Sequence, residues 1–320
     1  MPARLILNAD DFGLTPGINR AIAELHQAGV LTSATLMAGG PAFDDAVRIA
    51  GSHHGLGVGC HIVLTDGVPV SPPDTIPTLL GADGWTFRPR LTHFVRDLLR
   101  GLIRESEIEC EALAQVRKIQ NSGIRITHLD THKHTHVFPP VTRALLRVMQ
   151  TASVGALRNP FEPAHTRRHA SLKRRLQISL LNRFQAGFHR IIPSSLTTSG
   201  TFGISATGSL DAGELRTLLQ YIPAQGTFEL LCHPGYNDAH LDAISTRLRQ
   251  HRETERMALL SEVPVMFLNP QSPRLIHYGE AFGELDQPRL LHSRDLPPGG
   301  SGAPVPPPPA ATANEKPNTD

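Results

Sequence analysis

Cysteine is scarce in this chain, aromatic residues are few, and neither sign of charge dominates. Cys60, Cys110 and Cys232 are the only thiols in 320 residues, widely spaced and without a Cys-x-x-Cys pair. Such a set argues against a disulfide framework and fits a reducing compartment. A net charge of +2, with 19% charged residues, supplies no global field for nucleic acid, which is not expected as a partner. No apolar run approaches a membrane span, and the N-terminal run is too short for a signal sequence. A cytoplasmic protein is expected. No Gly-x-Gly-x-x-Gly turn is found, which disfavours a dinucleotide-binding sheet.

Histidine, by contrast, is abundant: 17 residues against one Trp and three Tyr. Neutral imidazole is the commonest metal-binding side chain, so the chain invites a search for ligands.

Short apolar runs alternate with helical patterns. Strands are expected at residues 4–9, 32–37, 58–64, 124–129, 155–158, 227–232 and 263–268. Helices are expected at 16–28, 42–50, 91–122, 140–151, 211–221 and 240–260, the second-last with Asp211 as its N-cap. Alternation of this kind implies parallel strands with crossover helices, an α/β fold, and about seven strands favour a distorted, incomplete (β/α) barrel. The domain is expected to span residues 1–284. From 285 to 320 the chain is rich in Pro, Gly, Ala and Ser, including Pro306 to Pro309, and reads as a disordered tail.

Catalytic groups of α/β folds collect at the C-terminal ends of strands. Here one strand ends in Asn8-Ala9-Asp10-Asp11-Phe12-Gly13 and another carries Gly59-Cys60-His61. A third runs into Thr127-His128-Leu129-Asp130-Thr131-His132-Lys133-His134-Thr135-His136, and a late one ends in Cys232-His233-Pro234. Four strand ends offering Asp or His predict one converging site. Two adjacent carboxylates in a shared site repel unless a cation lies between them or one is protonated. Cys60 and His61 face opposite sides of their strand, and so do Cys232 and His233, which leaves the imidazoles for the site. Five polar groups at alternate positions in 128–136 are too many for one ion. The strand should therefore stop near Asp130, with one or two histidines binding metal and the rest orienting ligands or touching substrate. One carboxylate and two imidazoles leave positions open for water and substrate, as a catalytic site requires.

In their order, these four motifs resemble the YdjC-like carbohydrate deacetylase family, over the chain to about residue 280. The resemblance implies a distorted (β/α) barrel that hydrolyses the N-acetyl group of an amino sugar. It further implies Asp11, His61 and His132 as ligands of one divalent ion, Asp10 as the base that takes a proton from the metal-bound water, and His233 as the acid for the leaving amine. His128, Asp130, His134, His136 and Arg158 are expected to contact substrate or support the ligands. Zn2+ suits an Asp/His/His set, whereas Mg2+ prefers more oxygen ligands but is the ion the resemblance suggests, so both stand. A homodimer is suggested in the same way.

Residues 160–193 form a longer, basic insertion. It carries Arg167, Arg168, Lys173, Arg174, Arg175, Arg183 and Arg190, with Leu172, Leu176, Leu180, Phe184 and Phe188 every four residues. A surface helix packed on the barrel is one reading. A basic amphipathic helix resting on membrane lipid through residues 167–192, with a glycolipid substrate, is the other. Rival functions are a non-haem iron oxygenase built on His128-x-Asp130 with a distant His, a non-catalytic sugar-binding protein with a vestigial metal site, and a phosphoesterase, which would need more carboxylates.

Overall fold

The computed structural model of the chain describes residues 3–163 and 172–283. The expected tail and residues 164–171 of the insertion, with Arg167 and Arg168, lie outside the described residues. Strands and helices alternate in the order β1 (Arg4–Phe12), α1 (Pro16–Gln27), β2 (Ser33–Leu36), α2 (Phe43–Ser52), β3 (Gly57–Ile62), α3 (Leu91–Leu99), α4 (Glu105–Asn121), β4 (Leu129–Thr131) and α5 (Pro139–Ala152). Then follow α6 (Leu172–Leu181), α7 (Gln185–Ile191), β5 (Gly200–Phe202), α8 (Ala212–Gln220), β6 (Thr227–Cys232), α9 (Ala239–Asp242), α10 (Gln250–Met266), β7 (Arg274–Leu275) and α11 (Tyr278–Phe282).

The sheet is parallel throughout, in the order β4-β3-β2-β1-β6-β5, with β7 added beside the start of β1. The irregular segment 155–161 runs between the outer strands. Leu129 N donates to Ala156 O at 2.8 Å on one side, and Thr201 N donates to Phe161 O at 3.2 Å on the other. The sheet thus curls into a distorted barrel completed by irregular chain. Of the expected strand at 155–158, only a bridge between Leu129 and Leu157 forms.

Local signals explain most elements. Thr15 caps α1 by accepting from Ile18 N at 3.2 Å, and Pro16 takes the first helical turn, where its missing N–H costs nothing. Asp211 caps α8 as expected. The helix expected over 91–122 is two, because the chain between α3 and α4 turns through Gly101 at φ 70°. On α4, the buried Glu107, Glu111 and Gln115 recur every fourth residue and point at the Pro-rich loop. Glu111 accepts from Val70 N and Ser71 N at 2.9 Å each, and Gln115 accepts from Val63 N at 2.9 Å. These buried carboxylates hold a loop and take no part in the candidate site.

Two expectations are overturned. The run 263–268 is not the last strand: residues up to Met266 belong to α10, and β7 takes that place. Arg252, Glu255, Leu259 and Val263 form one buried helical stripe, and Val263 continues it. The strand expected over 124–129 runs over Leu129–Thr131 instead, with Thr127 and His128 hydrogen-bonded to β3 ahead of it and residues before 126 beyond the start of β3. Residues 200–202 form a strand that the sequence did not announce. Among the described residues, no helix is long and apolar enough to cross a membrane.

Candidate metal centre and active site

Neighbouring residues of a strand face opposite ways, yet both Asp10 and Asp11 turn into one site. A β-bulge makes this happen. Between the pairs Ala9↔Ala34 and Phe12↔Leu36, β1 spends three residues where β2 spends two, and Asp11 adopts a left-handed φ of 65°. A non-glycine residue in that region is strained, and such strain is held where the surroundings over-determine it. Both carboxylates are buried at the C-terminal mouth of the barrel.

Across from them lie His61, on the last turn of β3, and His132, directly after β4. Asp11 Oδ1 is 3.7 Å from His61 Nε2 and 3.7 Å from His132 Nδ1, and the two nitrogens are 3.4 Å apart. Ligands about 2.1 Å from one tetrahedral ion stand roughly 3.4 Å from each other. The triangle therefore matches the spacing of ligands around a single cation. His61 Nδ1 donates to Asp130 Oδ1 at 2.8 Å, which leaves Nε2 with its lone pair toward the triangle, as in metal-bound histidines generally. Burial disfavours a charged His61, but Asp130, Asp10 and Asp11 outweigh it and push its pKa up to about 9. That site calls for positive charge. His132, where burial prevails, is lowered to about 4 and presents a neutral ring.

A second acidic group, Asp10, His61 and Asp130, also converges. Two of its three members, Asp10 and Asp130, are already paired with the guanidinium of Arg158. Nη2 lies 2.7 Å from Asp10 Oδ1, Nη1 is 3.0 Å from Asp10 Oδ2 and 2.5 Å from Asp130 Oδ2, and Nε is 2.8 Å from Glu229 Oε1. Tyr278 Oη donates to the other oxygen of Glu229 at 2.5 Å. One fixed cation thus already balances the carboxylates that a second metal ion would need. Burial opposes ionisation of Asp10, but Arg158, with help from His61 and His233, holds its carboxyl far below the usual range. Asn8 Nδ2 and Thr35 Oγ1 add donors to Asp10 Oδ1, both at 3.2 Å. His233, one residue past β6, reaches to 3.8 Å of Asp10 Oδ2.

The remaining residues of the histidine-rich run separate. The strand ends at Thr131, and a 3-10 turn over His132–Val137 follows, with Lys133 and His134 left-handed at φ 56° and 53°. His128 is buried, stacked on Tyr278 with ring centroids 3.7 Å apart. Gly59 makes room for it, since a Cβ there would fall 2.5 Å from the imidazole. His136 is buried, with Nδ1 2.6 Å from Thr131 Oγ1. Burial lowers the pKa of both rings well below the ordinary histidine value. Neither reaches space that a substrate could enter. His134 is only partly buried, and its Nδ1 has no hydrogen-bond partner among the described residues. Of the two roles expected of Arg158, the structure favours support of the site over contact with substrate. It has no exposed surface, and its guanidinium is paired with the carboxylates of Asp10, Asp130 and Glu229. His128 belongs to neither cluster of converging ligand atoms among the described residues, so the His128-x-Asp130 pair expected of an oxygenase triad does not converge.

Thr35, Glu229, Tyr278, Arg252 and Glu255 were not anticipated. Glu229 left one signal, a lone acid inside the apolar strand Thr227–Cys232, where an unpaired charge has no place. The others left none that local pattern could read.

A family model described as YdjC-like protein matches residues 4–269. A carbohydrate deacetylase of Brevibacillus brevis is 31% identical over 278 residues, 87% of this chain and 99% of that protein. A carbohydrate deacetylase of Geobacillus stearothermophilus is 32% identical over 284 residues, 88% of this chain and 99% of its own length. The fold is shared with the solved structure of a candidate cellobiose-phosphate cleavage protein of Enterococcus faecalis. That structure is 22% identical, has a TM-score of 0.70, and is covered in full by 88% of this chain. With the family match running from the first strand into the turn beyond α10, across every candidate ligand, the chain belongs to the YdjC-like family.

Proposed function

We propose that this protein removes the N-acetyl group of an acetylated amino sugar, releasing acetate, with one divalent ion held by Asp11, His61 and His132. It is a hydrolase of a linear amide C–N bond. The observation that carries the reading is the ligand triangle beside the buried carboxylate of Asp10, with His233 Nε2 3.8 Å from Asp10 Oδ2. The carbohydrate deacetylases that match nearly the whole chain support the substrate class.

A bound divalent ion would lower the pKa of a coordinated water to about 7 and polarise the acetyl carbonyl. Asp10 accepts the proton of the attacking water. Oδ2 is the freer of its two oxygens, since Oδ1 already takes donors from Asn8, Thr35 and Arg158. His233 gives a proton to the amine as the C–N bond breaks. Asp130 orients His61, and Arg158 holds Asp10 and Asp130 in register. His134, partly exposed on the turn that follows His132, is assigned to the substrate side of the site. Two imidazoles and one carboxylate suit zinc better than magnesium, which prefers an oxygen-rich shell. Filled base and acid positions favour an enzyme over a vestigial sugar-binding site. Substrate chemistry extends to glycolipids through the insertion: Leu176 and Leu180 are exposed beside Arg175 and Arg183, a face suited to an anionic lipid surface.

Purified protein, stripped by chelator and reloaded with zinc, magnesium or cobalt, should release acetate from N,N′-diacetylchitobiose, and Asp10→Asn should abolish it. Absence of metal-dependent acetate release from this substrate and from acetylated glycolipids would overturn the reading.

A further inference from the structure

Helix α10 belongs to none of the strand ends that build the site, yet its buried face is polar where it meets them. Arg252 and Glu255, one turn apart and each 1% exposed, project from the same side. Glu255 Oε2 accepts from the backbone N–H of His233 at 2.6 Å. Arg252 Nη2 lies 2.5 Å from Asp11 Oδ2, and its Nε donates to Leu248 O at 3.1 Å. The third nitrogen, Nη1, has no hydrogen-bond partner among the described residues. Gly235 lets the helix come this close: a Cβ there would lie 3.0 Å from Arg252 Cδ and 3.0 Å from Ile18 Cγ1. Burying a guanidinium with one nitrogen unpaired is costly, and a helix this tightly docked could bury an aliphatic side chain at less cost. The contact with Asp11 gives the charge its use.

Asp11 divides its two oxygens. Oδ1 faces His61 Nε2 and His132 Nδ1, while Oδ2 belongs to Arg252. A carboxylate with both oxygens free can turn and grip a cation with both. One whose second oxygen is held by a buried guanidinium can offer only the first. We infer that Arg252 is a positioning residue that restricts Asp11 to ligation through Oδ1, keeping a coordination position open for water and the substrate carbonyl. This rests on the assignment of Asp11 as a ligand in the function proposed above. Arg252 also places a fixed positive charge behind the ligand, so it holds geometry at the expense of cation affinity.

The test separates the two quantities. Zinc affinity is measured by competition with a chromophoric chelator on the full chain and on Arg252→Met and Arg252→Lys, alongside acetate release. Arg252→Met should bind zinc at least as tightly as the unmodified protein, while kcat falls about tenfold or more with little change in KM. Arg252→Lys, which keeps the charge without the planar fork, should retain zinc affinity and lose less of kcat, and it covers the case in which Arg252→Met fails to fold. Weaker zinc binding in either variant, with activity restored by excess zinc, would overturn the inference, as would an unchanged kcat. Because zinc affinity is read without substrate, weaker zinc binding in Arg252→Met overturns the inference even where no acetate is released, whereas absence of acetate from the unmodified protein counts against the deacetylase reading.

Discussion

Arg158 shows how one residue decides what its neighbours can be. Three carboxylates, those of Asp10, Asp130 and Glu229, surround a guanidinium with no exposed surface, and Tyr278 closes the network from below. Removing one partner of a buried ionic cluster leaves uncompensated charge, at a cost of about 3–5 kcal/mol. Arg158→Met should therefore lose stability of that order in urea titration. A variant within about 1 kcal/mol of the parent protein would show that the cluster needs no central cation. The same substitution frees the Asp10 carboxyl from its strongest stabilising charge, so the acidic limb of the pH–rate profile should move upward. Asp10, Asp11, His61, His132 and His233 were all legible as candidates, since unusual polar residues at the ends of apolar runs stand out. Arg158 was legible as a residue but not in its role, because nothing local reveals that three acids from other strands converge on it.

At the scale of elements, the bulge in β1 is the feature on which the site turns. A regular strand would send Asp10 and Asp11 to opposite faces, and one extra residue brings both inward. The adjacency of the two acids was visible, but the bulge was not, for it exists only against the register of β2. Helix α10 makes the same point. Its stripe of Arg252, Glu255, Leu259 and Val263 has helical spacing, but two of its four members are charged, so it passes for a solvated face until the barrel covers it. Helix α6 presents the converse case. The apolar repeat expected on one helix is split between α6 and α7, and Leu176 and Leu180 are exposed, 63% and 49%, whereas Phe188 in α7 is buried. The protein should float with vesicles containing anionic lipid, and Leu176→Glu with Leu180→Glu should abolish this. Failure of the parent protein to bind such vesicles would leave the insertion as a helix packed on the barrel.

For the whole molecule, charge balance ties cation binding to stability. In chelated protein, the His61 pKa rises from the ordinary 6.5 to about 9, because Asp130, Asp10 and Asp11 favour its charged form over the penalty of burial. A raised folded-state pKa contributes stability that is complete below 6.5 and is lost as pH rises through about 9. The Tm of chelated protein should therefore decline across that window. Loading with a divalent ion replaces the proton, so this decline should vanish and Tm should rise with ion concentration. A chelated protein whose Tm is flat from 6.5 to 9, or one whose Tm ignores added ion, would contradict this account of the site.

The amino-acid sequence by itself determined the alternation of strands and helices, hence a parallel barrel, because periodicity and capping are local and read in a window of a few residues. It also determined which residue types crowd the strand ends. Tertiary structure alone decided which of them meet. Asp10 finds Arg158 across 148 positions and Asp11 finds Arg252 across 241. Closure through the irregular segment 155–161 creates the first pair, and docking of α10 against the His233 turn creates the second. Neither could be read from pattern, since a buried ion pair is specified by the register of distant elements, and a single sequence carries no local mark of that register.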